Sequence, residues 1–276
     1  KFPHFSEIKT VIPSLQEQQK IASILFSVDR VIDLTEQEIN KLKDLKKGMM
    51  QELLTKGIGH TKYKDSPVGR IPESWEMTNL SMVCIHKGLQ TGPFGSQLHA
   101  HQYTEHGVPV IMPKDLKNEK VNTGTIARIP DVTANKLAKH KVKVGDIVFG
   151  RRGDIGRCAL ITEREEGWIC GTGCLRARTD QTKVEPELLL AVLTSDYAQA
   201  WLKENAVGQT MPNLNTSILG AVPFQLPALS EQQKIWEIVD AFQVARMLKV
   251  RKLKRVQSLK KGLMQDLLTG KVRVKV

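Results

Sequence analysis

Two stretches of the chain carry apolar residues at the spacing of a long helix. In residues 13–55 we assign a heptad seam to Ile21, Ile24, Val28, Val31, Leu42, Leu45 and Met49, widened by Leu25, Ile32, Ile39 and Leu53. In residues 227–269 the same positions hold Ile235, Ile238, Phe242, Ala245, Val256, Leu259 and Leu263, with Val239, Leu253 and Leu267 beside them. Heptads sustained over this length are typical of a coiled coil. The pattern predicts helices over Glu17–Thr55 and Glu231–Thr269, each about 58 Å long and each preceded by a proline that limits its extension.

The two helical stretches are copies of one segment. Every residue of 227–269 lies at a constant offset from its counterpart in 13–55, so the copies align without a gap. Most identities lie at the two ends, P-x-L-x-E-Q-Q-K-I at the start and L-K-K-G-x-M-Q-x-L-L-T at the finish. A repeat with fixed length and fixed ends indicates a spacer, whose length and terminal surfaces matter more than its middle.

Two polar pairs interrupt the apolar seam. Thr35 and Lys249 occupy equivalent positions, as do Glu38 and Lys252. If the helices oppose each other, the glutamate and the lysines can pair and favour the two unlike repeats as partners. The alternative is that these side chains are simply solvated.

A globular stretch, residues 66–225, separates the repeats. It opens with turn residues and Trp75 as an aromatic anchor, and turn residues then separate short strand-like runs. We predict strands at Val108–Met112, Gly145–Gly150, Cys158–Ile161 and Gly173–Arg178, and a helix over Pro186–Asn205. The predicted fold class is α+β: one mixed α/β domain flanked by two long helices, divided as 13–57 (first helix), 58–65 (linker), 66–225 (domain) and 226–276 (second helix and tail).

Charge is concentrated on the second repeat. The net charge is +12, and residues 246–276 hold 11 Lys and Arg against one acidic residue. Such a basic surface attracts phosphate regardless of nucleotide sequence, although a solvated helix face would look the same. No apolar run is long enough to span a membrane, so no membrane partner is expected. Four scattered cysteines without a secretion signal predict free thiols in the cytoplasm.

Motifs for catalysis or metal binding are missing or incomplete. The sequence has no phosphate-binding loop, dinucleotide fingerprint, zinc-protease helix or serine elbow, which predicts that the chain alone is not an enzyme. Cys170 and Cys174 have the spacing of half a zinc site, but no second pair follows, so we favour buried strand cysteines and predict no metal. His99, His101 and His106 are interpreted as surface histidines.

The globular stretch offers donors for nucleic acid. The loop Thr91, Gly92, Pro93, Phe94, Gly95, Ser96 and Gln97 combines backbone amides, two hydroxyls and a side-chain amide. Lys114, Arg151, Arg152, Arg176 and Arg178 supply charge, with the first two arginines on a hairpin at Gly150–Gly156. Arginine can bind guanine through two hydrogen bonds, whereas lysine more often binds phosphate. The alternative for each is ordinary surface charge. Asn213 and Asn215 are read as helix caps rather than base contacts.

Taken together, these motifs resemble the specificity (S) subunit of type I restriction-modification systems. The resemblance depends on the two repeat ends, on G-x-I-P-x-S-W-E at Gly69–Glu76 and on T-G-P-F-G-S at Thr91–Ser96. The G-D-I-V run at Gly145–Val148 and the turn Arg151–Gly156 fit as well. Matches in this order span nearly the whole chain.

The resemblance implies a fold and a function. Such subunits carry two target-recognition domains separated by two long helices that pack as an antiparallel coiled coil. Each domain reads one half of a bipartite site in double-stranded DNA, and the helices fix the spacing. The subunit is not catalytic. It recruits modification subunits, which methylate adenine with S-adenosylmethionine, and a restriction subunit, which cleaves DNA with ATP and magnesium, so no cofactor is expected on this chain.

The resemblance also predicts partner contacts at the helix ends. The residues assigned either to modification-subunit contacts or to packing between the helices are Glu17, Gln18, Gln19, Lys20, Lys46, Lys47, Gly48, Glu231, Gln232, Gln233, Lys234, Lys260, Lys261 and Gly262.

One departure from the family pattern is evident. The sequence has two spacer helices but only one recognition domain, at 66–225, with 1–12 as the remnant of a preceding one. We expect either a piece of a longer protein or a half-subunit that pairs with another copy. Two alternatives remain: the recognition subunit of a type IIB-like restriction-methylation enzyme, or a coiled-coil assembly module without DNA specificity. The target sequence depends on loop geometry and on the shape of the DNA.

Overall fold

The two predicted helices are present in the computed structural model, which describes residues 12–95, 97–208 and 212–275. Helix α1 runs over Leu15–Lys56 and helix α7 over Leu229–Leu268, within two residues of their predicted bounds. The chain forms two compact units, a helical unit (1–49 and 238–276) and a globular unit (50–237), and each long helix contributes to both. The finer division into five segments stays a prediction.

The seam of the helical unit has a different phase from the predicted one. The buried and half-buried heptad positions are Ile21, Leu25, Val28, Ile32, Thr35, Ile39, Leu42 and Lys46 on α1, and Val239, Phe242, Lys249, Leu253, Val256, Lys260, Leu263 and Leu267 on α7. Val31, Leu45 and Leu259, predicted to lie in the seam, are 40%, 58% and 58% exposed. Among the first positions of the predicted heptads, only Met49 is exposed. Among the second positions, Val31, Leu45, Ile238 and Leu259 are exposed, whereas Ile24 and Ala245 are half-buried.

Ion pairs fix the helices as antiparallel. Glu38 pairs with Lys249 at 2.7 Å and Asp29 with Lys260 at 2.5 Å. Residues earlier in α1 therefore pair with residues later in α7. The predicted antiparallel coiled coil is confirmed. The predicted pairing of Glu38 with a lysine of the other repeat is confirmed, and the lysine is Lys249. Thr35 is buried and its hydroxyl donates to the Val31 carbonyl at 2.7 Å.

Two sheets form the centre of the globular unit. The larger is antiparallel with strand order β10-β9-β12-β4, comprising β4 Cys84–Thr91, β9 Ile147–Gly150, β10 Cys158–Leu160 and β12 Cys174–Thr179. The smaller has order β11-β5-β8, comprising β5 Val108–Ile111, β8 Ala127–Ile129 and β11 Ile169–Cys170. Strands β5 and β11 are parallel, and β5 and β8 antiparallel. The four predicted strands are therefore present within about two residues.

Short strand pairs surround these sheets. They are β1 Tyr63–Ser66 with β2 Gly69–Pro72, β3 Glu76–Asn79 with β13 Pro223–Leu226, and β6 Leu116–Lys117 with β7 Lys120–Val121. The third pair turns through Asn118 and Glu119, which both have positive φ. All three pairs are antiparallel.

Five shorter helices complete the unit's described residues. They are α2 Leu80–Val83, α3 Asp131–Lys136, α4 Pro186–Leu193, α5 Asp196–Asn205 and α6 Thr216–Gly220. The single helix predicted over 186–205 was wrong, because Ser195 is an N-cap whose hydroxyl accepts the Ala198 amide and starts a second helix. Asn215 caps α6, as predicted, through the Ile218 amide at 2.8 Å. Asn213 is not a cap.

The central sheet separates two apolar cores because side chains alternate along a strand. Ile147 and Phe149 of β9 pack with Leu175 and with leucines of α4 and α5. Val148, between them, packs on the other side with Ile111 and Cys170. Buried on both faces, the sheet is a rigid support for the loops that leave its ends.

Candidate nucleic-acid interface

The loop after β4 is anchored at its base and exposed at its tip. The Gly92 amide donates to the Cys174 carbonyl at 2.9 Å, and the Thr172 hydroxyl to the Pro93 carbonyl at 3.0 Å. A Cβ on Gly92 would lie 1.9 Å from the Gly171 oxygen, so this approach of two backbones requires glycine. Gly92 and Pro93 are buried. They hold the loop rather than offering it to a ligand.

The exposed tip comprises Phe94, Gly95 and Gln97. The Phe94 ring is 56% exposed, and its backbone amide donates to Gln97 Oε1 at 3.2 Å. The Gln97 amide returns to the Phe94 carbonyl at 2.8 Å, which closes a tight turn. Ser96, also predicted to bind DNA, lies outside the described residues. The tip therefore presents a large apolar ring on a fixed backbone.

Arg151 and Arg152 lie on the turn between β9 and β10. Arg152 is exposed, as predicted for this hairpin. Arg151 is half-buried instead, because its Nε donates to Asn213 Oδ1 at 3.0 Å and to the Leu214 carbonyl at 3.1 Å. Its guanidinium carbon lies 5.9 Å from the centroid of the Phe94 ring. The arginine turn, the loop tip and Asn213 thus adjoin at one end of the central sheet.

Lys114 is at the same end of the sheet. It is exposed on a 3-10 turn, Pro113–Asp115. Side-chain atoms of Pro113 lie 3.3 to 3.6 Å from where Cβ atoms on Gly150 and Gly173 would be, which places this turn beside the ends of β9 and β12. Lys114 can therefore add positive charge to the surface made by Arg152 and Phe94.

Arg176 and Arg178 belong to the interior. Arg176 is 5% exposed, and its terminal nitrogens donate to the carbonyls of Lys139 and Lys141 and to Gln90 Oε1. Arg178 grips the buried Asp146 carboxylate with two bonds of 2.7 and 2.8 Å. Burial lowers the pKa of Arg176, with the Arg178 charge adding to the effect. These two arginines are poorly placed for the predicted DNA contacts, because Arg176 is buried and Arg178 is bound to the Asp146 carboxylate.

Of two supporting residues, the sequence analysis missed His140 and assigned Asn213 to a helix cap instead. Asn213 positions Arg151, and the buried His140 ring places Nδ1 3.1 Å from the Thr91 carbonyl at the loop's base. Burial lowers the pKa of His140, and the Lys139 charge lowers it further. No local motif marks either residue, because each acts across a long sequence separation.

The glutamate of each repeat start is a structural residue. The Glu231 carboxylate accepts bonds from Trp75 Nε1 at 3.0 Å and the Ile58 amide at 3.0 Å, and it lies 2.7 Å from His60 Nε2. In the other copy, Glu17 accepts bonds from Arg273, at 2.6 and 2.8 Å, and from the Val274 amide. Arg273 also holds the pKa of Glu17 below its usual value.

Each repeat glutamate therefore binds residues that follow the C-terminal end of the other long helix. Ile58 comes just after α1 and Val274 just after α7. The expectation that Glu17 and Glu231 face a partner gives way to the other option, packing within the chain.

The neighbouring glutamines differ between the copies. Gln232 is fully buried, donating to the carbonyls of Pro227 and Lys183 and accepting from the Glu185 amide at 2.9 Å. Within the described residues, Gln18 makes only the first of these bonds, to Pro13 at 2.8 Å, and is exposed. Gln232 is therefore unavailable to a partner, whereas Gln18 is available.

The lysines of the second motif also divide into two kinds. Lys46 and Lys260 are half-buried in the seam, and Lys260 pairs with Asp29. The remaining predicted partner residues are exposed, namely Gln19, Lys20, Lys47, Gly48, Gln233, Lys234, Lys261 and Gly262.

The cysteines are free thiols, buried at Cys158, Cys170 and Cys174 and half-buried at Cys84. Cys170 and Cys174 lie in β11 and β12, and the Cys174 thiol donates to the Ile111 carbonyl at 3.3 Å. Burial raises the pKa of Cys84, Cys158 and Cys170 to about 12. Across 12–95, 97–208 and 212–275, no three His, Cys, Asp or Glu side chains are grouped to hold a metal ion. Over the same residues, no helix has both the length and the apolar character needed to cross a membrane.

An exposed basic loop surface and a duplicated antiparallel helix pair are thus the two main features of the described residues. The family model for the type I restriction modification DNA specificity domain matches residues 1–44 and 72–258. The chain belongs to this family.

Relatives of established name agree with that assignment. The type I restriction enzyme MjaVIII specificity subunit of Methanocaldococcus jannaschii is 30% identical over 276 residues, covering 98% of this chain and 64% of the relative. The putative type I restriction enzyme MjaX specificity subunit of the same organism is 29% identical, covering 97% and 60%. The chain thus spans less than two thirds of the length of these relatives.

Solved structures share the fold. The HsdS subunit from Thermoanaerobacter tengcongensis superposes with a TM-score of 0.58 at 17% identity, covering 95% of this chain and 60% of that one. The type I restriction-modification S subunit from M. genitalium gives 0.55 at 15% identity, covering 92% and 61%.

Proposed function

We propose that this chain is a DNA-recognition subunit of a type I restriction-modification complex and reads one half of a bipartite site in double-stranded DNA. The observation that carries this proposal is the meeting of Phe94, Arg151, Arg152 and Lys114 at one end of a rigid sheet, in a chain of the DNA specificity family. Charged donors supply contacts to phosphate and base, and a fixed loop gives them register.

The helical unit serves as the spacer. Its helices are antiparallel and joined by ion pairs along their length. A coiled coil of fixed length keeps its ends at a fixed distance, whereas a flexible linker would allow a range of distances. The proposed role is to set the separation of the two half-sites.

Modification subunits are the proposed partners of the exposed helix faces. Leu34 and Leu45 on α1 lie about three turns apart on one face, and they are 51% and 58% exposed. Their repeat counterparts, Leu248 and Leu259, are 56% and 58% exposed. In both repeats these leucines lie outside the seam and form an exposed apolar stripe. Two equivalent stripes could bind two copies of the same partner.

Glycines beside these stripes support the same proposal. Gly48 and Gly262 lie in helix interiors, where glycine destabilises a helix by about 1 kcal/mol relative to alanine. Nothing in the structure lies within 4 Å of a Cβ built at either position. The chain itself therefore gives no reason for glycine there, and close approach of a partner helix gives one.

A second target-recognition domain is proposed to bind the start of α1. Gln232 is buried by the recognition domain through Lys183 and Glu185, while the equivalent Gln18 is exposed with Leu15, at 69%, beside it. Among the described residues, the start of the second repeat, at Gln232, thus contacts the recognition domain, whereas the start of the first repeat, at Gln18, contacts no such domain. The occupant is another domain of this kind, from a longer chain or a second copy.

The chemistry of the proposed complex belongs to its other subunits. S-adenosylmethionine would be bound by the modification subunits, and ATP with magnesium by the restriction subunit, in the cytoplasm. The chain would contribute recognition and no catalytic group. The two alternatives, a type IIB-like enzyme and an assembly module without DNA specificity, have no observation in their favour.

The proposal is tested with the chain assembled with its modification subunits. Duplex binding is measured by fluorescence anisotropy on random and target DNA at 50 to 200 mM salt, where neutralising several phosphates makes affinity fall steeply. We expect tight, salt-sensitive binding with preference for one bipartite sequence. Binding that is weak at every salt concentration, or equal on all sequences, overturns the proposal.

A further inference from the structure

Arg151 is held more firmly than a surface arginine needs to be. Its backbone amide donates to the Gly173 carbonyl at 2.8 Å, and its carbonyl accepts the Leu214 amide at 2.9 Å. Its Nε is shared by Asn213 Oδ1 and the Leu214 carbonyl. Since Leu214 is fully buried, both ends of this residue are tied to the core.

The guanidinium is oriented as well as anchored. The Phe94 ring lies 5.9 Å from its central carbon, within the range of a cation–π contact. Asn213 is itself fixed, because it exchanges backbone hydrogen bonds with Val207 at 2.9 and 3.1 Å. A long, flexible side chain is thereby confined before any ligand binds, which reduces the entropy lost on binding.

This arrangement leaves one edge of the guanidinium for a ligand. The Nε is already bonded, and the two terminal nitrogens of Arg151 have no acceptor within the described part of the chain. Those two nitrogens form a planar fork that matches two neighbouring acceptors. Guanine presents such a pair, O6 and N7, in the major groove, and no other base does.

The neighbouring Arg152 provides the contrast. It is exposed, and no side-chain bond holds it among the described residues. An exposed arginine of this kind suits phosphate, which is accessible from many directions. Confinement of Arg151 is an advantage only where the acceptor geometry is demanding, as at a base edge.

We propose that Arg151 reads a guanine of the half-site from the major groove, and that Phe94 and Asn213 are positioning residues for it. The inference rests on the proposed function, since it assigns a base and a groove to the same surface. It predicts that the half-site contains a guanine whose O6 and N7 are both required.

The test uses the complex with its modification subunits and guanine analogues in its mapped target. Replacing a guanine by 7-deazaguanine removes the N7 acceptor and leaves base pairing intact. We expect one position at which this change weakens wild-type binding by about tenfold, the loss of one good contact at a base edge. This scan uses the wild-type protein and so depends on no variant folding.

Variants then assign the effect to the residues. In Arg151→Lys the analogue at that position should cost less than twofold, since the fork is already lost, whereas Arg152→Lys should keep the full tenfold penalty. Asn213→Ala and Phe94→Ala should reduce the penalty, and Asn213→Asp and Phe94→Tyr should restore it. A merely structural role would lower affinity on both duplexes equally and leave the ratio unchanged.

Two results would overturn the inference while leaving the proposed function in place. One is specific binding to a half-site in which no guanine is sensitive to the analogue. The other is a sensitive guanine whose penalty is the same in Arg151→Lys as in the wild type. If the wild-type complex shows no sequence preference at all, the proposed function itself fails first.

Discussion

Removing the Glu231 carboxylate tests whether the repeat motif holds the chain together. Three donors of the globular unit converge on this side chain: Trp75 Nε1, the Ile58 amide and the His60 ring. Gly57, just before Ile58, has φ +65, and a Cβ there would lie 2.5 Å from Glu231 Oε1. The surrounding backbone is thus shaped around the carboxylate.

The size of the effect follows from burial. Trp75 is 1% exposed, so without its acceptor the indole donor is left in the core, which costs about 1–3 kcal/mol. The Ile58 amide and His60 are nearer to solvent and can be rehydrated, so they add less. We expect Glu231→Ala to lower the free energy of unfolding by about 3 kcal/mol, and Glu231→Gln, which keeps one acceptor, by roughly half as much.

The assay is equilibrium urea unfolding of the full chain, followed by tryptophan fluorescence and circular dichroism. Glu237→Ala is the matched control, because Glu237 is an exposed glutamate on the same helix. Binding to modification subunits is measured on the same proteins under native conditions. If Glu231→Ala is as stable as the control yet loses partner binding tenfold, the motif is a docking surface and our structural account of it is wrong.

Three further outcomes are expected. Gly92→Ala should reduce DNA affinity at least tenfold in anisotropy titrations, because its Cβ would collide with backbone, while Gly124→Ala, whose Cβ would meet only Asn122 Oδ1 at 3.4 Å, should change it less than twofold; equal losses would contradict the anchored loop. Gly48→Ala with Gly262→Ala should raise helix stability by about 1 kcal/mol per site and weaken binding of modification subunits; unchanged binding would remove the glycine argument for docking. The hydrogen bond with Glu187, together with burial, raises the pKa of Glu185 to about 7 from 4.5. Because the pKa of Glu185 is higher in the folded state than in the unfolded state, this contribution to stability is complete below pH 4.5 and is lost as pH rises through 7. Glu187→Gln should therefore make the melting temperature depend less on pH between pH 5 and 8. An unaltered pH dependence of the melting temperature would contradict this.

The existence of the long helices and of the main strands could be predicted because their signals are local. Proline at the start, the heptad rhythm and the repeat itself set the bounds of α1 and α7 to within two residues. The seam phase could not be predicted in the same way. Where a leucine lies beside a lysine, as at Leu45–Lys46 and Leu259–Lys260, the sequence predicts that the leucine faces the seam. The structure instead places the aliphatic part of the lysine in the seam, and the Lys260 ammonium pairs with Asp29.

The candidate site shows the same division. The loop at 91–97 and the arginine turn at 150–156 were found by composition and turn chemistry. The sequence did not show which arginine has unused donors. Arg178 is bound by Asp146, 32 residues away, and Arg151 is bound by Asn213, 62 residues away. Sequence reveals that an arginine is present, but the distant acceptor decides whether its donors are already used.

Methylation mapping after a domain exchange tests the central claim most directly. Residues 66–225 would be replaced by the matching domain of another specificity subunit, and methylated adenines mapped genome-wide in cells that supply the modification subunits. We expect one half of the bipartite site to change while the other half and the spacing are retained. An unchanged methylation pattern would contradict it, and so would a change in spacing with both halves preserved.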